Sequence, residues 1–443
     1  MLEEALLSRV QNTRLVLRAQ QIAMIFEEFD TQCMQLTLEQ RMEKYNKMLE
    51  SPFRFFRGSA YLFYYDMTTT PSLFHAPDEK PTWIMGDMHM DNFGAFQNEK
   101  GEIVYDVNDF DEGYVGSYFY DVIRMSISIG LYMDEQQINE VEQKLVIQSF
   151  LNSYVKQLAR FQKKKDDAFT LSFTKDNTKG PIKKLLKKLE SRQRSHLLED
   201  ITEVQNGKRG FIWSDEVKPV SAEIYTAIQE ALPNYIIKDI ALKYGSGTAS
   251  IGLKRYYILV EGQKDAAGEE DLVLEMKEVR TAIPAYFLPY SEKFWSAFEH
   301  QGARVVGTQK AMHHLEDPHL AYVTMDGQEY YVRERSPYKK KVKPKHYKSV
   351  EDYIVTAGIM GKIAAKVHAR ADIDYSDVFT YHSEDEILKR IDLHRDLFVE
   401  STILQAMAYK KLVYTDFKLF KEWVAEKERD FSLTGDLLES GNY

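Results

Sequence analysis

The hydrophobic and polar positions of this chain change period several times, and each change predicts a different element. Over residues 1–50 the pattern is polar with Leu15, Ile22, Ile25 and Phe26 at helical spacing, which predicts a helix with one apolar face. Ser51-Pro52-Phe53-Arg54-Phe55-Phe56-Arg57-Gly58 breaks that helix and opens an aromatic stretch through Tyr61, Phe63, Tyr64 and Tyr65, read as core. Two short apolar runs, 82–85 and 103–107, predict buried strands, each ending at acids and glycine. Residues 120–160 and 180–232 predict helices joined by polar turns. Near 235 the texture turns to strands: 235–243, 256–260 and 272–279, separated by the glycine-rich 245–252 and the polar turn 262–271. A helix over 291–316, a last strand over 328–335 and a small-residue helix over 357–370 follow. The pattern divides the chain into 1–234, a strand-rich 235–345, and a helical 346–443.

Composition narrows the class. The 443 residues hold 44% hydrophobic and 28% charged positions, ordinary for a globular chain. Cys33 is the only cysteine, which excludes an intramolecular disulfide and any multi-cysteine metal centre. The start Met1-Leu2-Glu3-Glu4 has no signal-peptide character, and no apolar run approaches the roughly 20 residues of a membrane span. A cytoplasmic protein is expected. The net charge of −10 argues against a whole-protein nucleic-acid binder. Two basic runs stand out: 156–194 holds 13 Lys/Arg against 4 Asp/Glu, and 333–348 holds 8 against 1. Their plain reading is solvated helix faces and loops.

The candidate chemistry lies where the two early strands end. Gly86-Asp87-Met88-His89-Met90-Asp91-Asn92 is followed by Asn108-Asp109-Phe110-Asp111-Glu112, with Asp109 22 residues after Asp87. A carboxylate in a loop can serve as general base to a hydroxyl within hydrogen-bond reach. Asn and Asp oxygens are the hard ligands that Mg²⁺ takes beside phosphates. The alternative is a turn-rich acidic surface with satisfied carboxylates.

Taken whole, 86–124 resembles the catalytic segment of aminoglycoside and choline phosphotransferases, where a Gly-Asp-x-His-x-x-Asn loop, an Asp-Phe pair and a later Asp-x-x-Arg recur in this order. The resemblance implies Asp87 as base, Asn92 and Asp109 as magnesium ligands, and Asp121 as an acid that braces the loop. It makes His89 a loop-stabilising residue rather than a reactant. Arg57 is expected to reach either a phosphate or the acidic loops. Asp91, Asp111 and Glu112 are expected to receive a cationic acceptor or to support the metal.

A glycine-rich turn between antiparallel strands lets backbone N–H groups approach phosphates, and a lysine on the third strand adds a compact positive charge. Gly245, Ser246, Gly247 and Gly252 with Lys277 fit that plan, which looks like the small, nucleotide-covering lobe of a kinase. It does not look like a dinucleotide fold, because no long helix follows the glycines. The acid that pairs with Lys277 stays open among Glu275, Glu278 and Glu299. A glycine hairpin with an exposed lysine is the bland alternative.

In an ordinary kinase the glycine-rich strands precede the catalytic loop; here they follow it by about 150 residues. The helix ending Val367-His368-Ala369-Arg370 resembles the one that directly precedes such a loop. The expected architecture is therefore α+β: a bilobal, protein-kinase-like fold, circularly permuted, with a small antiparallel β lobe and a large mainly helical lobe. The whole chain resembles the bacterial "domain of unknown function 2252" family, through 51–58, 86–94, 108–112, 245–252, Lys277-Glu278, Arg304-Val305-Val306, Tyr331-Val332-Arg333 and Val367–Arg370. That family pattern carries a glutamate where Gly307 stands. The implied activity is an ATP- and Mg²⁺-dependent phosphotransferase with an unnamed hydroxyl-bearing acceptor. Alternatives are a metal-dependent phosphoesterase, for which the adjacent His313-His314 diverge too far to be ligands together, and a catalytically silent nucleotide-binding protein. Transfer of a nucleotide monophosphate is a further variant.

Overall fold

The structure is a computed structural model that describes residues 2–191, 195–245, 247–262, 264–265, 268–269 and 271–439. Its centre is the helix Tyr118–Asp134, whose residues 118–133 are all buried. Around it lie the helices Glu140–Gln162, Val350–Arg370 and Arg395–Glu439. Glu140–Gln162 and Val350–Arg370 run so close that a Cβ on Gly361 would lie 2.2 Å from the carbonyl oxygen of Phe150. The small residues of the second helix, Gly358, Gly361, Ala364 and Ala365, permit that approach. The aromatic stretch forms two short helices, Pro52–Gly58 and Ala60–Met67, with Phe53, Phe55, Phe56, Tyr61, Phe63 and Tyr64 buried as core.

The second layer is a six-stranded antiparallel sheet. Its order is Ala321–Met325, Gln328–Glu334, Leu272–Glu278, Arg255–Val260, Ile237–Lys243 and Val217–Pro219. Alternation along Leu272–Glu278 sends Leu272, Leu274 and Met276 to one face, where they pack with Ile258, Val332 and the helix residues Ile228 and Leu232. Val273, Glu275 and Lys277 point the other way, toward the helical layer.

The six expected strands are all present, but Phe93–Gln97, Tyr114–Gly116 and Ala321–Met325 are strands that the pattern did not predict, and two helical readings differ. The helix expected over 291–316 is two helices, Glu292–Ala297 and Gln301–Met312. The helical reading of 180–232 is corrected: after Gly180–Leu189 and Ser195–Ile201 come a hairpin, Thr202–Gln205 with Lys208–Phe211, and the edge strand Val217–Pro219. The cause is Asn206-Gly207, which takes φ of 52° and 77°, the paired positive dihedrals of a tight two-residue turn. Val217–Pro219 and the helix Ala222–Ala231 consequently belong with the sheet that follows them. No helix among the described residues is long and apolar enough to cross a membrane.

Candidate active site

The loop after Thr82–Ile84 is fixed from below by one helix. Asp121 accepts the backbone N–H of Met85 at 2.7 Å and of Gly86 at 3.0 Å, and His368 at the end of Val350–Arg370 reaches the same carboxylate at 3.1 Å. The other nitrogen of that imidazole lies 2.9 Å from the Tyr154 hydroxyl. Three residues further along the helix, and so on the same face, Arg124 donates from Nε to Asp87 Oδ1 at 2.6 Å. Gly86 has φ +77°, and a Cβ there would lie 2.1 Å from the carbonyl oxygen of Glu112, so the turn admits glycine alone.

Asp87 thus has one oxygen bound by a buried guanidinium and a second, Oδ2, 3.6 Å from His89 Nε2. Burial pushes its carboxyl above the ordinary range, against the pull of Arg124. His89 is the N-cap of the turn Met90–Asn92: its Nδ1 accepts from the N–H of Asp91 at 3.2 Å, and Arg57 Nε approaches its Nε2 at 3.3 Å. Burial first, and then Arg57 and Arg124, hold its pKa well below the usual value, so the ring is neutral. Asn92 donates from Nδ2 to the carbonyl of Asp87 at 2.7 Å, and its own carbonyl accepts from Asn108 N–H at 3.0 Å. The first bond closes the 87–92 loop on itself, and the second ties it to the 108–112 loop.

On the second loop Asp109 is exposed and lines the cleft with Asp87. Among the described residues no hydrogen bond or ion pair engages its carboxylate. Asp111 pairs with the Lys277 ammonium, which settles the lysine's partner from an unexpected direction. Burial opposes ionisation of Asp111, but Lys277 pulls its pKa below the ordinary value. Its Oδ1 has no hydrogen-bond partner. Glu275 instead binds Arg255 at 2.7 Å and Arg333 at 2.8 Å, Glu278 accepts the Lys254 N–H, and Glu299 is exposed. Gly307 packs under Phe298, whose ring would be 2.3 Å from a Cβ, so no glutamate fits there. Arg304 completes the loop: it is fully buried and donates to the carbonyls of Asp111 at 2.8 Å and Gly113 at 2.9 Å.

The cleft between the layers has an inner cavity of about 50 Å³ beside Asp87, Asn92, Asp109 and Asp111, and an outer part of about 400 Å³. Arg54, Arg57, Gly247, Ser250, Lys341 and Lys343 line the outer part together with Asp87 and Asp109. Arg57 pairs with Asp91 at 2.8 Å, as does Lys341 at 2.6 Å. Asp91, Asp111 and Glu112, the acids expected for a cationic acceptor, therefore each have a partner; Glu112 accepts the N–H of Ile283. Of the glycines, Gly247 lines the cleft, whereas Gly245 lies against Glu216 and Gly252 against Leu36. Ser246 lies outside the described residues. At the far end of the sheet's inner face, Tyr257, Leu259 and Val273 are covered by Leu198 and Phe211.

Sequence reasoning gave no role to Arg124, Arg304 or Lys341. For Arg124 a signal was present: Asp121-x-x-Arg124 repeats at i, i+3, the spacing that turns two side chains to one side of a helix. Nothing local marks Arg304 or Lys341, because their partners lie across the chain.

As a ligand set, Asp109, Asn92 and the spare oxygen of Asp111 are hard oxygen donors, and an exposed carboxylate without a protein partner beside a buried unsatisfied one suits Mg²⁺. The family described as "Uncharacterized protein conserved in bacteria (DUF2252)" matches residues 39–423. No curated protein and no solved structure matches the chain.

Proposed function

The chain belongs to this bacterial family, and from that premise and the cleft we propose an ATP- and Mg²⁺-dependent phosphotransferase with a circularly permuted, kinase-like arrangement. The observation that carries the proposal is the meeting of Asp87, Asn92 and Asp109 with Lys277, which comes from the third strand after the glycine-rich segment and grips the same loop through Asp111. That lysine position is the one a kinase small lobe uses. The permutation is supported by His368. The helix that would precede the loop in an unpermuted chain touches the acid that holds the loop, although it follows the loop by some 280 residues.

In this reading Asp87 Oδ2 accepts the proton of an acceptor hydroxyl, and the raised pKa of Asp87 brings it nearer the working pH of a base. Arg124 fixes which oxygen is available. Asn92 and Asp109 hold Mg²⁺, which neutralises phosphate charge when bound. Lys277, Arg255 and Arg333 share the inner face of the sheet, where Lys277 is paired with Asp111 and the two arginines with Glu275.

A second reading has its own observation. Lys277 is closed onto Asp111 rather than left free for a phosphate, which favours a protein without turnover. Calorimetric titration with ATP, with and without Mg²⁺, tests both. Magnesium-dependent binding that weakens at least about tenfold in Asp109→Ala is expected, a change of about 1.4 kcal/mol. Equal affinity in wild type, Asp109→Ala and Lys277→Ala overturns the proposal. Binding without any phosphorylated or nucleotidylated product by mass leaves the silent reading.

A further inference from the structure

The two basic runs, about 150 residues apart in sequence, form one surface. The helix Gly180–Leu189 buries Ile182, Leu185, Leu186 and Leu189 and carries four lysines and no acid. The linker 339–348 carries six lysines and no acid. They meet at the start of Val350–Arg370: a Cβ on Gly180, the first residue of the basic helix, would lie 3.2 Å from Val355 and 3.8 Å from the carboxylate of Asp352, which accepts the backbone N–H of Lys348 at 2.8 Å. Lys187, Lys188, Lys343, Lys345 and Lys348 are exposed, and no carboxylate among the described residues pairs with any of them. The nearest acid on the linker side, Asp352, accepts the backbone N–H of Lys348. Concentrating like charges this way costs repulsion in a protein of net charge −10, and the surface runs into the cleft, whose wall includes Lys341 and Lys343 beside Asp87.

We infer that this surface docks an acidic segment of a polypeptide and delivers a side-chain hydroxyl of that segment to the cleft. The inference rests on the phosphotransfer reading and names its acceptor class. Two features favour an acidic peptide over other polyanions. The aromatics at the surface, Tyr347 and Tyr353, stack on each other at 3.9 Å but are only 8% and 6% exposed, so they offer no platform for bases. The apolar face of Gly180–Leu189 is spent on the core, which leaves nothing to insert into a lipid surface. The cationic acceptor expected from Asp91, Asp111 and Glu112 is disfavoured, because those acids are already engaged.

The test is fluorescence anisotropy of a labelled oligo-glutamate peptide with one central serine, at low and high salt. Wild-type protein is expected to bind it, less tightly as salt rises, and the charge-reversed variant K187E/K188E/K343E/K345E at least about tenfold more weakly. Equal binding by the two proteins, or no binding at low salt, overturns the inference. So does tighter binding of oligothymidylate of matched length, which points to nucleic acid. Asp87→Asn is expected to keep peptide affinity while losing transfer to the serine, so docking and chemistry fail separately. Retained peptide binding without ATP binding leaves the surface and sinks the phosphotransfer reading; retained ATP binding without peptide binding does the reverse.

Discussion

The two walls of the cleft are built on opposite principles. On the helical side Met85, Gly86, Asp87 and Met90 are each held by a buried partner: Asp121 on two N–H groups, Arg124 on Asp87, Tyr64 on the Gly86 carbonyl at 2.7 Å, and Ser128 on Met90 N–H at 2.8 Å. On the sheet side, the described residues between Ile237–Lys243 and Arg255–Val260 include only short turns, and around Gly247 nothing lies within 4 Å of an added Cβ. The first wall is preorganised, as a site that must aim one carboxylate requires. The second is adaptable, as a cover over a ligand requires. In the proposed reading the chemistry belongs to the more firmly held wall.

Gly86→Ala breaks that contrast most severely. A methyl group there meets the Glu112 carbonyl, and φ +77° strains any residue with a Cβ. A loss of about 3–5 kcal/mol in folding stability is expected by urea denaturation. A loss below about 1 kcal/mol would mean that the loop can shift, against its preorganisation.

The same asymmetry explains what the sequence made legible. Asp87, Asn92, Asp109 and Asp121 lie within 35 residues, and their spacing records one local fold whose carboxylates must point in set directions. Lys277 was legible as a strand lysine. Its partner was not, because Asp111 reaches it across 166 residues and no periodicity encodes which strand lies over which loop. Arg304 was legible only as part of the family resemblance, and its role was hidden for the same reason. The hairpin at Asn206-Gly207 was locally encoded and was hidden by the helical reading of its surroundings. The glycine-rich segment was legible only as composition: of its glycines, Gly245 and Gly252 serve positive φ and close packing rather than the cleft.

A sharper and smaller test uses Glu112, which supplies the carbonyl that forbids a side chain at Gly86. Burial pushes its carboxyl up to about 7. An acid with a raised folded pKa binds more protons folded than unfolded between its ordinary value near 4.5 and 7. Its contribution is therefore present at low pH and is lost as pH rises through that window. Glu112→Gln keeps an acceptor for Ile283 and removes the titration. The wild-type protein is expected to lose up to about 3 kcal/mol more stability than this variant between pH 4.5 and 7. Parallel pH profiles in denaturant would show that Glu112 is ionised in the folded protein.

Gly247→Ala carries the smallest effect and sharpens the contrast from the adaptable side. Gly247 has φ −50°, which an alanine adopts without strain, and open space surrounds the new methyl. The folded state then loses nothing, while the unfolded chain loses some of its freedom, so a gain of about 0.5 kcal/mol is expected. Nucleotide affinity is the more telling readout. If the segment must bring its backbone close to phosphates, the methyl lowers ATP affinity although stability rises slightly, and the two measurements move in opposite directions. If the segment only closes the cleft against solvent, both stay within about 0.5 kcal/mol of wild type. A clear loss of stability would show that 244–254 packs as tightly as the opposite wall, and the division of labour between the two would be wrong.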